Sequence, residues 1–404
     1  MPAASPDVPR DHPPAGPPRD HPPAGPPRDP AADRAADRAA QAAHSVIEGF
    51  GHRLAGLPGT HLAARTQPAP PCRDPAWNYW WQAHYLDAVV DAGGRHLRAG
   101  DLAGARGYSR LGRRLIRSVW LRNGARFTNR FYDDMAWMIL AAGRLDDLAA
   151  AVGEPAPWAG RMLRRQISAR LQAAESAELG GGLYWTTSRD RKNVPATAPA
   201  AIAFARSGAL ARARRLVEWI YATLWDETTG LALDTAYCDG RCDPTIYSYN
   251  QGTLLGALLA LGDDGSLARA QRLIAAVDAQ LRGESPAPVL RTYGDGDGGL
   301  FTGILVRYLA LAAAHAPLAA AARRTAAALV AGTAEAVWEG SEVRRPPAPH
   351  RVFSPDPAVP ARVALPAGAA IELSPQLQAW TILEAAATLQ QPPATVQQPP
   401  ATLR

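Results

Sequence analysis

The feature that most constrains the fold is a long series of amphipathic helical segments between residues 36 and 390. Apolar residues recur at i, i+3, i+4 and i+7 within these segments, and turns rich in Gly, Pro or Asp separate them. Short extended pieces are predicted only at 182–187, 231–237 and 350–365. The twelve predicted helices cover 36–54, 77–98, 103–121, 132–149, 157–177, 195–207, 209–225, 249–262, 266–283, 299–314, 316–339 and 374–389.

These helices alternate in how they begin. The odd-numbered ones start with Ala, Arg and Leu, whereas the even-numbered ones start beside polar and aromatic clusters. The clusters lie at 77–84, 131–137, 191–195, 247–252, 298–303 and 372–375. If successive helices run in opposite directions, all six clusters meet at one end of the bundle. The sequence therefore predicts an all-α (α/α)6 barrel, with six inner helices inside six outer ones and a cleft at one rim.

Low-complexity segments flank the helical region. A proline-rich unit repeats at Pro9 and Pro18, and a Gln-Gln-Pro-Pro-Ala-Thr unit repeats at Gln390 and Gln397. Proline at this density blocks the hydrogen bonding of helices and sheets. We predict disordered tails over 1–35 and 391–404, and one barrel domain over 36–390.

The charge composition does not indicate a nucleic-acid partner. The net charge is +6, and 42 of the 43 basic residues are arginine. The Arg-dense stretch 106–130 carries apolar residues at helical spacing, which is typical of a solvated outer face. The chain has no run of 18 uncharged apolar residues, so we predict no membrane span. No signal peptide is recognised, which predicts a cytoplasmic protein, or a secreted one if the true N-terminus differs.

Asp133 and Asp134 are adjacent at the start of the predicted fourth helix. Asp is a preferred N-cap residue, but a single cap explains only one of the two. Two carboxyl groups close together cannot ionise independently, so one pKa rises and an acid stands beside an ionised nucleophile. Glycoside hydrolysis requires this division of roles.

Aromatic residues cluster at the same predicted rim, where flat rings suit the apolar C–H faces of sugars. Such rings also fill helical cores. In the run 79–81 successive side chains point about 100° apart, so both uses are expected, and we assign Trp81 to the cleft. Lys192, the only lysine, precedes the sixth helix beside Asn193. A compact ammonium donor can make contacts that a guanidinium cannot, which suggests a role in the site.

No cofactor or metal is predicted. The chain lacks a G-x-x-x-x-G-K-[ST] loop and a dinucleotide fingerprint after a strand. Cys238 and Cys242 have no second ligand pair at zinc spacing, and the sequence around Asp295 lacks the later ligands of a calcium loop.

Five motifs, in order, resemble glycoside hydrolase family 76, the bacterial and fungal endo-α-1,6-mannanases. They are Tyr-Asp-Asp-Met-Ala-Trp at 132–137, Gly-Gly-Leu-Tyr-Trp at 181–185, Lys-Asn at 192–193 with Ala-Pro-Ala at 198–200, Tyr-Asn-Gln-Gly at 249–252 and Gly-Gly-Leu-Phe-Thr-Gly-Ile at 298–304. The resemblance extends from about residue 44 to 388. It implies an (α/α)6 barrel, consistent with the helix count.

The resemblance also implies a retaining hydrolase acting on α-1,6-linked mannan or manno-oligosaccharides, with no metal or organic cofactor. Asp133 would be the nucleophile and Asp134 the general acid and base. The predicted substrate-binding residues are Trp81, Tyr132, Trp137, Trp185, Lys192, Asn193, Tyr249, Asn250 and Gln251.

Two alternatives stay open from the sequence. One is an (α/α)6 sugar epimerase or isomerase, a chemistry that typically uses paired histidines, of which only His84 lies at the predicted rim. The other is a catalytically silent carbohydrate-binding barrel.

Overall fold

The computed structural model describes residues 29–69, 76–345 and 351–390. These residues form thirteen α-helices, of which α12 is a single turn. Their bounds are α1 Pro30–Phe50, α2 Tyr79–Arg98, α3 Leu102–Arg122, α4 Tyr132–Ala151, α5 Trp158–Ala174, α6 Val194–Arg206, α7 Leu210–Thr223, α8 Ser248–Leu261, α9 Asp264–Gln280, α10 Phe301–Ala314, α11 Ala320–Glu339, α12 Ala361–Ala364 and α13 Leu373–Gln390.

Six of these helices form a closed inner ring. Helix α2 packs on α4, α4 on α6, α6 on α8, α8 on α10 and α10 on α13, and α13 returns to α2. The other long helices, α1, α3, α5, α7, α9 and α11, pack against the outside of this ring. The predicted (α/α)6 barrel is therefore confirmed.

Burial distinguishes inner from outer helices. Helix α8 is buried without interruption over residues 250–258, which covers every face of a helix. Helix α3 instead buries only one face, with residues such as Ala105, Leu115 and Val119, and exposes several arginines on the other. The inner helix α10 lies within Gly296–Ala314, the only stretch of the described residues apolar and long enough to cross a membrane, and 61% of that window is buried in the fold.

The first helix begins earlier than predicted. Asp29 caps α1 by accepting a hydrogen bond from Ala31 N at 2.9 Å, and Pro30 occupies the first turn. Proline is favoured there because that N–H has no helical partner. Residues 30–35, predicted as tail, are therefore helical, and the predicted start at residue 36 is wrong. The remaining predicted tail residues, 1–28 and 391–404, lie outside the described residues.

Short strands connect the helices. They pair as β1 Gly51–His52 with β2 Leu62–Ala63, β3 Thr66–Gln67 with β11 Ile371–Glu372, β5 Trp225–Asp226 with β6 Leu231–Ala232, β9 Glu342–Val343 with β10 Arg351–Val352, and β4 Arg191–Asn193 with β7 Thr235–Tyr237 and β8 Cys242–Asp243. The predicted extended stretch 231–237 is confirmed by β6 and β7, whereas 182–187 forms only isolated bridges. The stretch 350–365 contains β10 and the single-turn helix α12.

Candidate active site

A cavity of about 530 Å³ opens at the N-terminal ends of the inner helices. Its walls come from the starts of α2, α4, α8 and α10 and from β4, which precedes α6. The lining includes five carboxylates, Asp133, Asp134, Asp234, Asp243 and Asp297. It also includes nine aromatic residues, Trp77, Tyr79, Trp80, Phe131, Trp137, Trp185, Tyr237, Tyr249 and Phe301. The predicted convergence of these helix starts on one rim is confirmed.

The aspartate pair lies in the first turn of α4. Phe131 bridges Thr186, and Tyr132 N donates to Trp185 O at 2.8 Å, so a neighbouring segment fixes where the helix begins. Among the described residues, no side chain caps α4 from the N-cap position, which Phe131 occupies. The pair thus lies inside the first turn and not at the N-cap position.

Each carboxyl group has its own neutral donor. Trp185 Nε1 donates to Asp133 Oδ2 at 2.9 Å, and Asn129 Nδ2 donates to Asp134 Oδ2 at 2.6 Å. The backbone N–H of Asp134 also donates to Asp133 Oδ1 at 2.9 Å. Asn129 is itself fixed, because its Oδ1 accepts from Phe131 N at 2.8 Å.

Burial raises the pKa values of both members of the pair. It raises the pKa of Asp133 to about 7, although the hydrogen bonds from Trp185 and from the Asp134 N–H oppose this rise. Burial raises the pKa of Asp134 well above its usual range, and the negative charge of Asp133 raises it further. Asp133 therefore ionises first while Asp134 keeps its proton. One group is an available nucleophile and the other an available acid.

Asp234 is a third carboxylate that the sequence analysis missed. It lies between β6 and β7 and accepts hydrogen bonds from Asn250 Nδ2 at 2.9 Å and from Tyr249 OH at 3.4 Å. Burial raises the pKa of Asp234, and its charge contributes to the raised pKa of Asp133. The pairing of Asn193 with Thr235 and a hydrogen bond from Val194 N to Asp234 O bring this residue to the cavity.

Asp297, also missed, links two helix starts. Trp80 Nε1 and Trp81 Nε1 both donate to Asp297 Oδ1, at 3.1 and 2.9 Å. Its charge also contributes to the raised pKa of Asp134. The sequence analysis considered this segment only as a calcium loop, and its position directly before the 298–304 motif was the available signal.

Stacked rings form one wall of the cavity. Tyr249 and Phe301 stack with their centroids 4.1 Å apart, and Trp137 lies 6.3 Å from Tyr249. On another wall the Arg191 guanidinium lies over the Trp185 ring at 4.3 Å. Aromatic faces held at fixed angles suit the flat C–H faces of a sugar.

Six of the predicted site residues line the cavity: Asp133, Asp134, Trp137, Trp185, Asn193 and Tyr249. Asn193 also caps α6, since its Oδ1 accepts from Ala196 N at 3.2 Å.

The other five do not line it: Trp81, Tyr132, Lys192, Asn250 and Gln251. Trp81 and Tyr132 are packed in the core. Asn250 donates to Asp234, and the Gln251 amide pairs with both backbone groups of Ala232. Lys192 is enclosed by backbone carbonyls.

A helical barrel whose cavity combines an adjacent carboxyl pair with a wall of aromatic rings is typical of glycoside hydrolases. The family model described as glycosyl hydrolase family 76 matches residues 35–346, and the chain belongs to that family. A search of curated protein sequences gave no significant match.

Solved structures share this fold. The α-1,6-mannanase GH76A of Salegentibacter sp. HEL1_6 is 27% identical, with 88% of this chain and 99% of that chain covered and a TM-score of 0.73. An inactive variant of that enzyme, with two consecutive aspartates replaced by asparagine and α-1,6-mannotriose bound, is 26% identical over 88% and 99% of the chains, with a TM-score of 0.72. Dfg5 from Chaetomium thermophilum, in complex with glucosamine, is 17% identical over 89% and 90%, with a TM-score of 0.65.

Proposed function

We propose that this chain is a retaining glycoside hydrolase that cleaves α-1,6-mannosidic linkages through a covalent glycosyl-enzyme intermediate. The observation that carries the proposal is the adjacent carboxyl pair at the start of α4, which lines the cavity with one donor on each member, Trp185 Nε1 on Asp133 and Asn129 Nδ2 on Asp134. The similar α-1,6-mannanase supports it, because its variant with two consecutive aspartates replaced is inactive and binds α-1,6-mannotriose.

The first step uses both members of the pair. The Asp133 carboxylate attacks the anomeric carbon, and Asp134 transfers its proton to the glycosidic oxygen as the C–O bond breaks. Trp185 Nε1 donates to Asp133 Oδ2 and the Asp134 N–H donates to Asp133 Oδ1, so both oxygens of the attacking carboxylate are held by donors. The products are a mannosyl ester on Asp133 and a shortened chain with a new hydroxyl.

The second step regenerates the enzyme. Asp134, now ionised, takes a proton from water, and the resulting oxygen nucleophile attacks the anomeric carbon and displaces the Asp133 carboxylate. Two successive inversions retain the configuration. The stacked rings of Tyr249 and Phe301 offer a platform for the sugar beside the pair.

The alternative of an epimerase loses its main support. Within the part of the chain that the structure describes, no histidine lines this cavity, and His84 is only 2% exposed. Proton transfer beside a carbonyl would then fall to the carboxyl groups alone.

The test is a reducing-sugar assay on linear α-1,6-mannan with wild type, Asp133→Asn and Asp134→Ala. Asp133→Asn removes the nucleophile and should nearly abolish turnover on every substrate. Asp134→Ala should still form the intermediate from a mannoside with a good leaving group, and azide should rescue its slow hydrolysis. A proton NMR time course should show the α-anomer as first product. Release of the β-anomer, or equal loss in both variants without azide rescue, would contradict the assignment.

A further inference from the structure

Lys192, the only lysine of the chain, makes an unusual set of contacts. It lies on β4 and its side chain is 0% exposed. Its Nζ donates to three main-chain carbonyl oxygens, those of Ser176, Glu178 and Gly181, at 2.5–3.0 Å. The three acceptors belong to one turn, so the ammonium group joins that turn to β4.

This geometry requires lysine rather than arginine. An ammonium group offers three donors from one small atom, whereas a guanidinium spreads its donors over a rigid plane. Three carbonyl oxygens within 3.0 Å of one nitrogen leave no room for that plane. A chain that uses arginine at every other basic position therefore has lysine here.

The turn leads directly to the indole beside the nucleophile. Tyr184 follows the turn and bridges Lys192, and Trp185 N donates to Arg191 O at 3.0 Å. The Trp185 side chain then reaches Asp133 Oδ2. Lys192 thus links the turn to β4, the strand that also holds the Trp185 backbone. Its side chain lies on the face of β4 opposite the cavity, since its neighbours Arg191 and Asn193 line the cavity.

We propose that Lys192 is a positioning residue for the reaction: by holding the turn 176–181 against β4, it keeps the Trp185 indole N–H aimed at Asp133. This inference rests on the proposed function of Asp133 as nucleophile. Lys192 itself touches no substrate, since the turn and β4 enclose it.

Losing Lys192 should therefore change the titration of Asp133 and not only the stability of the fold. Without the indole donor the ionised form of Asp133 loses a partner, and its pKa rises. We expect the pKa that sets the acid limb of kcat/KM to rise by about one unit. At pH values below that pKa, kcat/KM should then be about tenfold lower than in wild type.

The first measurement needs no substrate, so it is independent of the proposed activity. The protein is labelled with 5-fluorotryptophan, and Trp185→Phe assigns the Trp185 signal among the eleven tryptophans. In wild type this fluorine resonance should shift with pH as Asp133 ionises, and Asp133→Asn should abolish the shift. In Lys192→Met the midpoint should move up by about one unit. An unchanged midpoint in a folded variant would overturn the inference.

The second measurement is a double-mutant cycle on the acid limb of kcat/KM. If Lys192 acts through Trp185, then Lys192→Met should add nothing to Trp185→Phe, whereas independent roles would add. Glu384→Gln is the matched control, because it removes a buried charge paired with Arg95 and should lower stability without moving the limb. Additive effects, or a moved limb in the control, would refute the positioning role.

Lys192→Arg is the second variant, since it keeps the charge and the long stem. We expect it to fold and to resemble Lys192→Met in both measurements, because the carbonyl triad does not fit a guanidinium. Full retention of the wild-type titration by Lys192→Arg would overturn the inference. Failure of both variants to fold would assign Lys192 to stability and would also overturn it. A wild type without mannan hydrolysis but with the expected fluorine titrations would count against the proposed function alone.

Discussion

Gly252 on α8 allows two inner helices to approach each other closely. A Cβ at this position would lie 2.7 Å from Leu305 Cα and 3.0 Å from Leu305 N, both main-chain atoms of α10. Main-chain atoms cannot rotate away, so Gly252→Ala must push the helices apart. Overpacking of this kind costs about 1–3 kcal/mol, and the higher helix propensity of alanine returns about 0.5–1 kcal/mol of it.

Gly143 on α4 is the matched control, because a Cβ there would meet nothing within 4 Å. Gly143→Ala should therefore gain about 0.5–1 kcal/mol from helix propensity alone. Urea unfolding followed by circular dichroism at 222 nm should show the two midpoints moving in opposite directions. Because Tyr249 lies one turn before Gly252, Gly252→Ala should also raise KM. Equal stabilisation by both substitutions would refute the close approach of α8 and α10.

Three further predictions concern charged side chains. Burial raises the pKa of Asp133 to about 7, above an unfolded value of about 3.9. Ionisation of Asp133 therefore opposes folding, and the free energy of unfolding of the wild type, compared with that of Asp133→Asn, falls as pH rises through 7. Asp133→Asn should then melt higher than wild type at pH 8 but not at pH 4. Arg95→Met leaves the Glu384 carboxylate buried without its cation and should cost about 3–5 kcal/mol in urea unfolding, and adding Glu384→Leu should recover most of it. Asp297→Ala removes the acceptor of two indole N–H groups at the cavity wall and should raise KM for mannan more than it lowers kcat.

The barrel could be predicted because its signals are local. Helical periodicity marks each segment, and the polar and aromatic starts of alternate segments identify the end at which the cavity opens. The first turn of α4 was found in the same way, since Asp133 and Asp134 stand at a helix start. These inferences need only the sequence and the alternating direction of helices.

Side-chain direction could not be predicted, because neighbours at a helix start point about 100° apart. Tyr249 faces the cavity, but Asn250 and Gln251, which follow it, are turned away and bond to the β6–β7 region. Asp234 enters the site through strand pairing and contacts with α8, which no local pattern specifies. Lys192 was identified as unusual, but its three carbonyl partners come from a turn that the sequence does not locate.

The enclosure of Lys192 also determines how the protein reacts with amine-directed reagents. No other lysine exists in the chain, so the only other amine is the α-amino group of the terminus. An N-hydroxysuccinimide ester can acylate Lys192 only after its Nζ leaves the three carbonyl oxygens that surround it. The α-amino group should react quickly and Lys192 slowly. The rate at which Lys192 is acylated would therefore measure how often the turn 176–181 opens.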